Sequence, residues 1–293
     1  MILPEVAPSR PHPEISRLIE ETRDLVSPPQ VHFALLEVLN NPDSTTQEMA
    51  DVISVDPALT ARLLRIVNSP YYGMSRRIDT ISRAVAIVGT NELFNLAVAV
   101  SATTVFARLP SALVNMDTFW RHSVFTAMLA RELAKLCSVL HPERLFVAGI
   151  LHDVGSLLLY NERPDTMSEL LMSAQGDEEV LYQAERHRLG FSHAEVGASI
   201  LRLWQLPETL CQAVEHHHEP MECEEGGNEA CLVYLADHFA NRTQRGGFSQ
   251  ASHSEQGVDS EVLATTGLEL EKITRATAVA EEKFERSVGL FLP

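Results

Sequence analysis

The sequence predicts an all-α protein with two helical lobes, and three observations support this fold class. Residues that cap helices precede many of the apolar segments, as Asp56 does immediately before Pro57. The segment that follows places Leu59, Leu63 and Val67 on one face of a helix. No segment has the alternation of apolar and polar residues, bounded by hairpin turns, that is typical of a strand.

The N-terminal lobe is predicted over residues 14–110, after a flexible segment over residues 1–13. Four of its helices have a recognisable beginning and end. They run from a capping box at Ser44 and Gln47 through Val55, from Pro57 to Asn68, from Thr80 to Gly89, and over residues 91–107. Pro70 and Pro110 end the second and the fourth, because the residue before a proline avoids the helical region.

The second lobe is predicted over residues 111–240 and begins with a long helix over residues 117–140. An almost wholly apolar helix follows from Pro142 and should be buried. Further helices are predicted over residues 193–204, 207–218 and 230–240. Residues 241–260 are rich in Gly, Ser and Gln and are predicted to be a flexible loop, and residues 261–293 a C-terminal helix.

The chain is strongly acidic, with a formal net charge of −17 and a pI near 5.1. Duplex DNA and anionic membranes attract proteins of the opposite charge. Aromatic residues make up only 6% of the chain, which argues against a stacking surface for single-stranded nucleic acid. Nucleic acids and membrane surfaces are therefore poor candidates as partners.

The sequence gives no indication of membrane insertion or export. Its longest apolar stretch, residues 93–107, is interrupted by polar residues and is too short to span a bilayer. Pro4, Glu5 and Pro8 stand where a signal peptide would need an apolar core. The four cysteines have no CxxC spacing and are expected to be unpaired thiols in a reducing compartment. We therefore expect a cytoplasmic protein.

His152 and Asp153 are adjacent at the end of the predicted buried helix. Burying an ionisable pair without partners is costly, so another group must satisfy it. A divalent cation would do so, with imidazole and carboxylate as its ligands. The alternative is a hydrogen-bonded pair in the core, which is the more common outcome for a dipeptide considered alone.

More histidines and one aspartate occur in similarly apolar surroundings, and they strengthen the metal interpretation. His122 lies within the long predicted helix, and His193 lies in the first turn of a later one. His217 and His218 end another helix, and Asp237 lies inside the next. Residues that are spread over several helices in this way can meet only in a folded core.

Several short motifs occur in a fixed order along the chain. They are residues 56–59 (DPAL), 63–70 (LLRIVNSP), 84–89 (AVAIVG), 148–155 (AGILHDVG), 193–198 (HAEVGA), 204–207 (WQLP) and 217–220 (HHEP). Together they resemble the HDOD branch of the HD superfamily of metal-dependent phosphohydrolases. The resemblance covers roughly residues 15–240 and implies that the second lobe is an HD-type helical bundle.

The resemblance also implies a metal site. In HD enzymes the equivalents of these residues hold one or two divalent ions; here they are His122, His152, Asp153, His193, His217 and Asp237. His218 is an additional ligand or a group that supports the ligands. Imidazole and carboxylate ligands suit iron, manganese, zinc or nickel, and the ligand types alone do not decide among them.

The chain departs from the related HD-GYP phosphodiesterases at three places. Their lysine that helps to hold the substrate phosphate is Ser156 here, and their acidic ligand one turn before the first histidine is Thr118. Their GYP segment is absent, and an acidic segment starts at Met221 instead. A site for phosphate needs positive charge beyond that of the metal ions. These departures argue against phosphodiester hydrolysis.

The HDOD branch is generally regarded as a signalling module without hydrolase activity. The resemblance therefore implies a bacterial regulatory module that binds a metal and acts on signalling proteins in trans, with a nucleotide as a further candidate ligand. A metal-dependent phosphohydrolase is the alternative, because the potential ligands are retained; Asp153 would then help to hold an activated water.

Arginines of the N-terminal lobe are a separate candidate for partner binding. Arg62 and Arg65 share a helix face, and Arg76 and Arg77 are close in sequence. They could pair with an acidic protein or with a nucleotide phosphate. The alternative, which is the more common one, is that they form an ordinary solvated face of an amphipathic helix.

Overall fold

A computed structural model describes residues 12–109, 112–223, 227–243 and 257–292 of the chain. Within these ranges the regular elements are helices, and no strand is present. The all-α fold class predicted from the sequence is therefore confirmed. Residues 1–11 and 244–256, which make up most of the two segments predicted to be flexible, lie outside the described residues.

The helices of the N-terminal half follow the predicted pattern of caps closely. They are α1 (Pro13–Glu21), α2 (Arg23–Val26), α3 (Gln30–Asn40), α4 (Thr46–Ser54), α5 (Pro57–Val67), α6 (Ile81–Val88) and α7 (Thr90–Phe106). The capping box of α4 is formed by Thr45 and Glu48, one residue after the predicted pair of Ser44 and Gln47. A glutamate carboxylate accepts the backbone N–H at the cap more strongly than a neutral glutamine amide does, which explains the shift.

The second half contains the helices on which the candidate ligands lie. They are α8 (Met116–Leu136), α9 (Pro142–Leu151), α10 (Val154–Glu162), α11 (Pro164–Ala174), α12 (Glu178–Leu189), α13 (His193–Leu203), α14 (Glu208–Glu215) and α15 (Gly227–Ala240). Helix α8 ends before the predicted Leu140, because Ser138 adopts a left-handed conformation with φ of 55°. His217 and His218 follow the end of α14 rather than forming its last turn.

The predicted C-terminal helix is divided into α16 (Ser260–Thr266) and α17 (Leu270–Phe291). Gly267 causes the break, since it adopts a left-handed φ of 65° at the end of α16. Helix α17 packs against α8 and also contacts α5 of the N-terminal half.

Helix α8 is central to the packing and contacts α9, α15 and α17. Contacts also cross from one half of the chain to the other. Helix α7 packs against α9, and the indole of Trp204 donates a hydrogen bond of 2.7 Å to the carbonyl of Val26. One continuous hydrophobic core includes residues of both halves. A division into lobes near residue 110 therefore stays a prediction.

In the described part of the chain, no single helix combines the length and the apolar character that crossing a membrane requires; the pair α6 and α7 reaches that threshold only jointly, and it is bent by 118°.

Arg62 anchors the end of the C-terminal helix. Its guanidinium donates hydrogen bonds to the carbonyls of Leu290 (3.2 Å), Phe291 (2.7 Å) and Leu292 (2.7 Å). We expect Arg62→Ala to lower the free energy of unfolding by about 2 kcal/mol, because the hydrogen bonds of a charged donor to the last carbonyls are lost. Urea denaturation measures the change. The exposed Arg65, one turn further along α5, is the control, and equal losses in the two alanine variants would contradict this role.

His32 gives the protein a distinct pH dependence. It is buried, and its Nε2 donates to the carbonyl of Trp204 at 2.7 Å. Burial lowers the pKa of His32, and the hydrogen bond to Trp204 offsets this only in part. The unfolded chain therefore binds a proton more readily than the folded one, so stability should fall as the pH decreases below about 6.5. His32→Gln should lose less stability than wild type between pH 7 and 5 in urea titrations; parallel curves would refute the assignment.

Candidate metal centre

Helix ends and helix faces bring the predicted ligands to one place. His122 projects from the middle of α8, and Asp237 from α15. His152 and Asp153 form the break between α9 and α10, where the backbone of Asp153 leaves the helical region (φ −103°, ψ 4°). His193 is the first residue of α13. The capping box of Ser192 and Glu195, predicted from the sequence, fixes where that helix begins.

One group of ligand atoms surrounds His122, and we call it the His122 set: His122, His152, Asp153 and Asp237. The Nε2 atoms of His122 and His152 are 3.2 Å apart. Oδ1 of Asp237 lies 3.0 Å from Nε2 of His122 and 3.6 Å from Nε2 of His152. Oδ2 of Asp153 lies 3.1 Å from Nε2 of His152 and 3.8 Å from Nε2 of His122. All four residues are buried.

A second group, the His193 set, consists of His193, His217 and His218. Their candidate ligand atoms all lie within 4.8 Å of one another. The Nε2 atoms of His193 and His218 are 3.0 Å apart. The ring of Tyr182 stacks on His218 with centroids 4.5 Å apart, and the Tyr182 hydroxyl donates to Glu219 at 2.9 Å. This stacking fixes the plane of the His218 ring.

Asp153 connects the two sets through its two oxygen atoms. Oδ2 faces His122 and His152, whereas Oδ1 lies 3.4 Å from Nε2 of His193 and 3.8 Å from Nε2 of His217. A carboxylate in this position can bind one cation with each oxygen. The structure thus brings all six predicted ligands and His218 together, and we refer to them as the histidine–aspartate centre.

Hydrogen bonds determine which imidazole nitrogen faces the centre. Nδ1 of His152 donates to the carbonyl of Gly149 at 2.8 Å, and Nδ1 of His217 donates to the carbonyl of Val214 at 2.7 Å. In the neutral rings, Nε2 is then left with a free lone pair. Nε2 of His217 is buried and has no hydrogen-bond partner among the described residues. Histidines that bind metal ions are held in this way by their other nitrogen.

The spacing of the donors fits a cation. Two ligands bound about 2.1 Å from one ion lie about 3.0–3.5 Å apart. Most of the contacts above fall at or near this spacing, and the buried Nε2 of His217 has no hydrogen-bond partner among the described residues. Imidazole nitrogens and carboxylate oxygens suit divalent transition metals. The residues present therefore fit two metal ions, one bound by the His122 set and one bound by the His193 set. Asp153 lies between the two positions and offers one oxygen to each.

The buried carboxylates of the centre also favour a positive charge beside them. Burial alone would lower the pKa of His122, but its hydrogen bond with Asp237 and the nearby carboxylates raise it to about 9. Burial would also lower the pKa of His193, but the charge of Glu185 and the hydrogen bond with Asp153 raise it to about 10. Protons occupy these rings when no metal ion does. Burial and the two neighbouring imidazoles lower the pKa of His217 to about 3, so this ring stays neutral and able to bind a metal ion.

Two glutamates at the centre were not predicted from the sequence. Glu185 is fully buried, and its carboxylate accepts hydrogen bonds from Nδ1 (2.7 Å) and from the backbone N–H (2.8 Å) of His193. Its position one turn after Leu181, on the apolar face of α12, is a signal that could have identified it. Glu178, the first residue of α12, lies beside His122 and Asp237. No local pattern marks that residue.

The predicted partner-binding arginines lie elsewhere. Arg65, Arg76 and Arg77 are exposed and line a cavity of about 770 Å³, which none of the residues of the histidine–aspartate centre borders. Arg62 is instead occupied with the end of α17, as described above.

Residues 25–220 match the HDOD domain family, which is more than half of the chain. The chain belongs to the HDOD family. This agrees with the resemblance of the seven motifs and with the all-α fold.

An uncharacterised protein of Treponema pallidum (strain Nichols) is 32% identical over 204 residues, which is 65% of this chain. The chain spans only 37% of the length of that relative.

Solved structures share the fold over nearly the whole chain. An HDOD domain protein of unknown function from Geobacter sulfurreducens has a TM-score of 0.69 and 25% identity, and 94% of this chain and 95% of that one are covered. A candidate phosphohydrolase from Shewanella amazonensis has a TM-score of 0.73 and 24% identity, with 94% and 97% covered. A candidate signal-transduction protein from Marinobacter aquaeolei has a TM-score of 0.73 and 18% identity, with 94% and 64% covered.

Proposed function

We propose that this HDOD chain is a bacterial regulatory module in which a divalent metal ion, or a pair of them, holds the helices of the second half in one arrangement. The histidine–aspartate centre joins residues of α8, α13 and α15 with the ends of α9 and α14. A cation bound there would fix these elements relative to one another. Loading or loss of the metal would then change the surface that a partner reads.

The access to the centre is the observation that favours a module over a hydrolase. Among the described residues, the cavity lined by His218 and Asp237 has a volume of about 80 Å³, and a second cavity of about 290 Å³ reaches Glu178 but none of the six predicted ligands. Ligand pockets are typically about 300–1,000 Å³. The carboxylates of Asp177 and Glu179 line the smaller cavity, and their negative charges repel a phosphate group. Ser156, at the position of the phosphate-binding lysine of HD-GYP enzymes, is buried and carries no charge.

Metal-dependent phosphohydrolysis is the second candidate, and the convergence of the whole predicted ligand set favours it. When bound, a divalent ion lowers the pKa of a coordinated water and polarises a phosphoryl oxygen. In this chain Asp153 would orient that water, since its two oxygens face both sets of histidines. Arg242, which lines the small cavity, is the residue placed to contact a substrate phosphate.

Metal content and turnover separate the two candidates. We would purify the untreated protein, measure iron, manganese, zinc and nickel per chain, and assay generic phosphodiester and cyclic dinucleotide substrates. We expect bound metal without turnover. Metal-dependent turnover that is lost in Asp153→Ala would overturn the module and support the hydrolase. Absence of metal from the purified and from the metal-incubated protein would overturn both.

The location and the partners are part of the same proposal. All four cysteines lie among the described residues, and none of them forms a disulfide there, which is typical of proteins of the reducing cytoplasm. We infer that the partners are signalling proteins that bind in trans, with a nucleotide as a further candidate ligand.

Arg76 and Arg77 provide a test of where a partner binds. In a chain with a net charge of −17, the exposed arginines around the 770 Å³ cavity offer positive charge to an acidic protein surface. Replacing both by glutamate should weaken binding by more than tenfold and change the set of proteins captured in pull-downs. The same two substitutions at the exposed Arg17 and Arg188 serve as the control. An unchanged set of partners would exclude this surface.

A further inference from the structure

Glu178 is a third carboxylate at the histidine–aspartate centre, although it lies outside every HDOD motif. Its ligand atom and those of His122 and Asp237 all lie within 4.8 Å of one another. It comes from the N-terminus of α12, whereas the other two come from α8 and α15. Three separate helices therefore contribute to this group.

A hydrogen-bonded brace holds Glu178 in this position. The side-chain amide of Asn241 donates to Oε2 of Glu178 at 2.6 Å and to Oδ1 of Asp237 at 3.1 Å. The same Oδ1 lies 3.0 Å from Nε2 of His122. Asn241 thus links the two carboxylates and orients them towards the same imidazole. Such bracing is typical of carboxylates that bind metal ions.

Glu178 lies near the position where HD-GYP phosphodiesterases have an acidic ligand that this chain lacks. HD-GYP phosphodiesterases carry an acidic ligand one turn before the first histidine, and this chain has Thr118 there. Thr118 and Glu178 line the same cavity, which has a volume of about 290 Å³. The acidic side chain that α8 lacks at Thr118 therefore has a counterpart on α12, at the same cavity.

Glu178 also makes the two sets of ligands chemically different. With it, the His122 set offers two imidazoles and three carboxylates: Asp153, Asp237 and Glu178. The His193 set offers three imidazoles and one oxygen of Asp153. Oxygen-rich sites suit Mn²⁺, and nitrogen-rich sites of low coordination number suit Zn²⁺.

We propose that Glu178 is a metal ligand of the His122 set. Its carboxylate, on α12, takes the place of the acidic ligand that Thr118 on α8 cannot provide. Glu178 also makes this set selective for a hard ion such as Mn²⁺. The inference rests on the proposed metal-binding function and adds a ligand and a metal preference for the His122 set. Asn241 acts as a positioning residue that holds the Glu178 carboxylate in place.

Metal titration of the chelator-treated protein tests the role of Glu178. We would measure Mn²⁺ and Zn²⁺ affinity and stoichiometry by calorimetry and elemental analysis in wild type, Glu178→Gln and Glu179→Gln. Loss of a direct ligand should weaken Mn²⁺ binding more than about 100-fold, which exceeds the roughly 10–100-fold loss typical of residues that only support a ligand. Zn²⁺ binding at the His193 set should change by less than threefold. Glu179→Gln removes the neighbouring charge and should change Mn²⁺ affinity by less than threefold.

A rescue variant distinguishes ligation from a structural role. Thr118→Glu in the Glu178→Gln background places a carboxylate at the HD-GYP position and should restore most of the Mn²⁺ affinity. Equal Mn²⁺ binding in wild type and Glu178→Gln would overturn the inference, whereas the proposed metal-binding module would stand. A Glu178→Gln protein that unfolds, and that Thr118→Glu does not rescue, would also overturn it. Absence of metal binding in wild type would instead refute the proposed function.

Discussion

Asp153→Asn is expected to reduce the metal affinity of both sets of ligands by roughly 100-fold or more. Asn keeps the shape of the side chain but lacks the charge of a carboxylate whose two oxygens face His152 on one side and His193 on the other. The increase in Tm that metal addition causes in wild type should then disappear. Elemental analysis and thermal melts, each with and without chelator, measure the two effects.

The Tm of the metal-free protein must be measured separately, because Asp153→Asn also changes the stability of the apoprotein. Contacts with His152 and His193 hold the pKa of Asp153 well below its usual range, even though burial opposes this. A carboxyl group with a lowered pKa stabilises the fold above its unfolded pKa, and this contribution is lost as the pH falls. The variant should therefore melt at a lower temperature at pH 7 even without metal. The exposed Asp165→Asn should match wild type in both states. A metal-induced rise in Tm that survives in Asp153→Asn would refute the bridging role.

Gly155→Ala is expected to destabilise the protein by about 3 kcal/mol and to abolish metal binding. A Cβ atom at Gly155 would lie 2.0 Å from the carbonyl oxygen of His193 and 2.6 Å from the backbone nitrogen of Gly197. These are backbone atoms of α13, so no side chain can rotate away to relieve the contact. Helix α13 would have to move away from α10, and its His193 would leave the centre with it. Urea denaturation and metal titration test both effects.

Gly289→Ala is the matched control for this prediction. Gly289 lies in α17, and a Cβ atom added there meets nothing within 4 Å. Alanine is the better helix former, so this variant should be unchanged or more stable by up to about 1 kcal/mol. Similar behaviour of the two alanine variants would show that the contact between α10 and α13 is not a constraint on the centre.

The arginines illustrate where reasoning from the sequence is weakest. Arg62 and Arg65 lie three residues apart on α5, and the sequence treats them alike. In the structure Arg62 binds the carbonyls at the end of α17, more than two hundred residues away, whereas Arg65 is exposed at a cavity. Helical periodicity places both on one face, but it does not indicate which other helix covers that face.

The sequence by itself determined the all-α class, most helix starts and the chemical types of the ligands. Helix caps such as Asp56 before Pro57 and Ser192 with Glu195 act within four residues, so they can be recognised in a linear sequence. The pair His152 and Asp153 could be singled out because both are ionisable residues at the end of an apolar segment, where burial without a partner is costly. The full set of six ligands came from the resemblance of the ordered motifs to the HD superfamily.

The tertiary structure alone decided how these residues are arranged. It placed one oxygen of Asp153 towards each set of histidines, aimed Nε2 of His217 at the centre, and brought Glu178 to the side of His122. The close approach of α10 to α13 at Gly155 was equally invisible beforehand. Each of these features depends on the distance between residues far apart in the chain, and that distance is set by the packing of helices rather than by any local pattern.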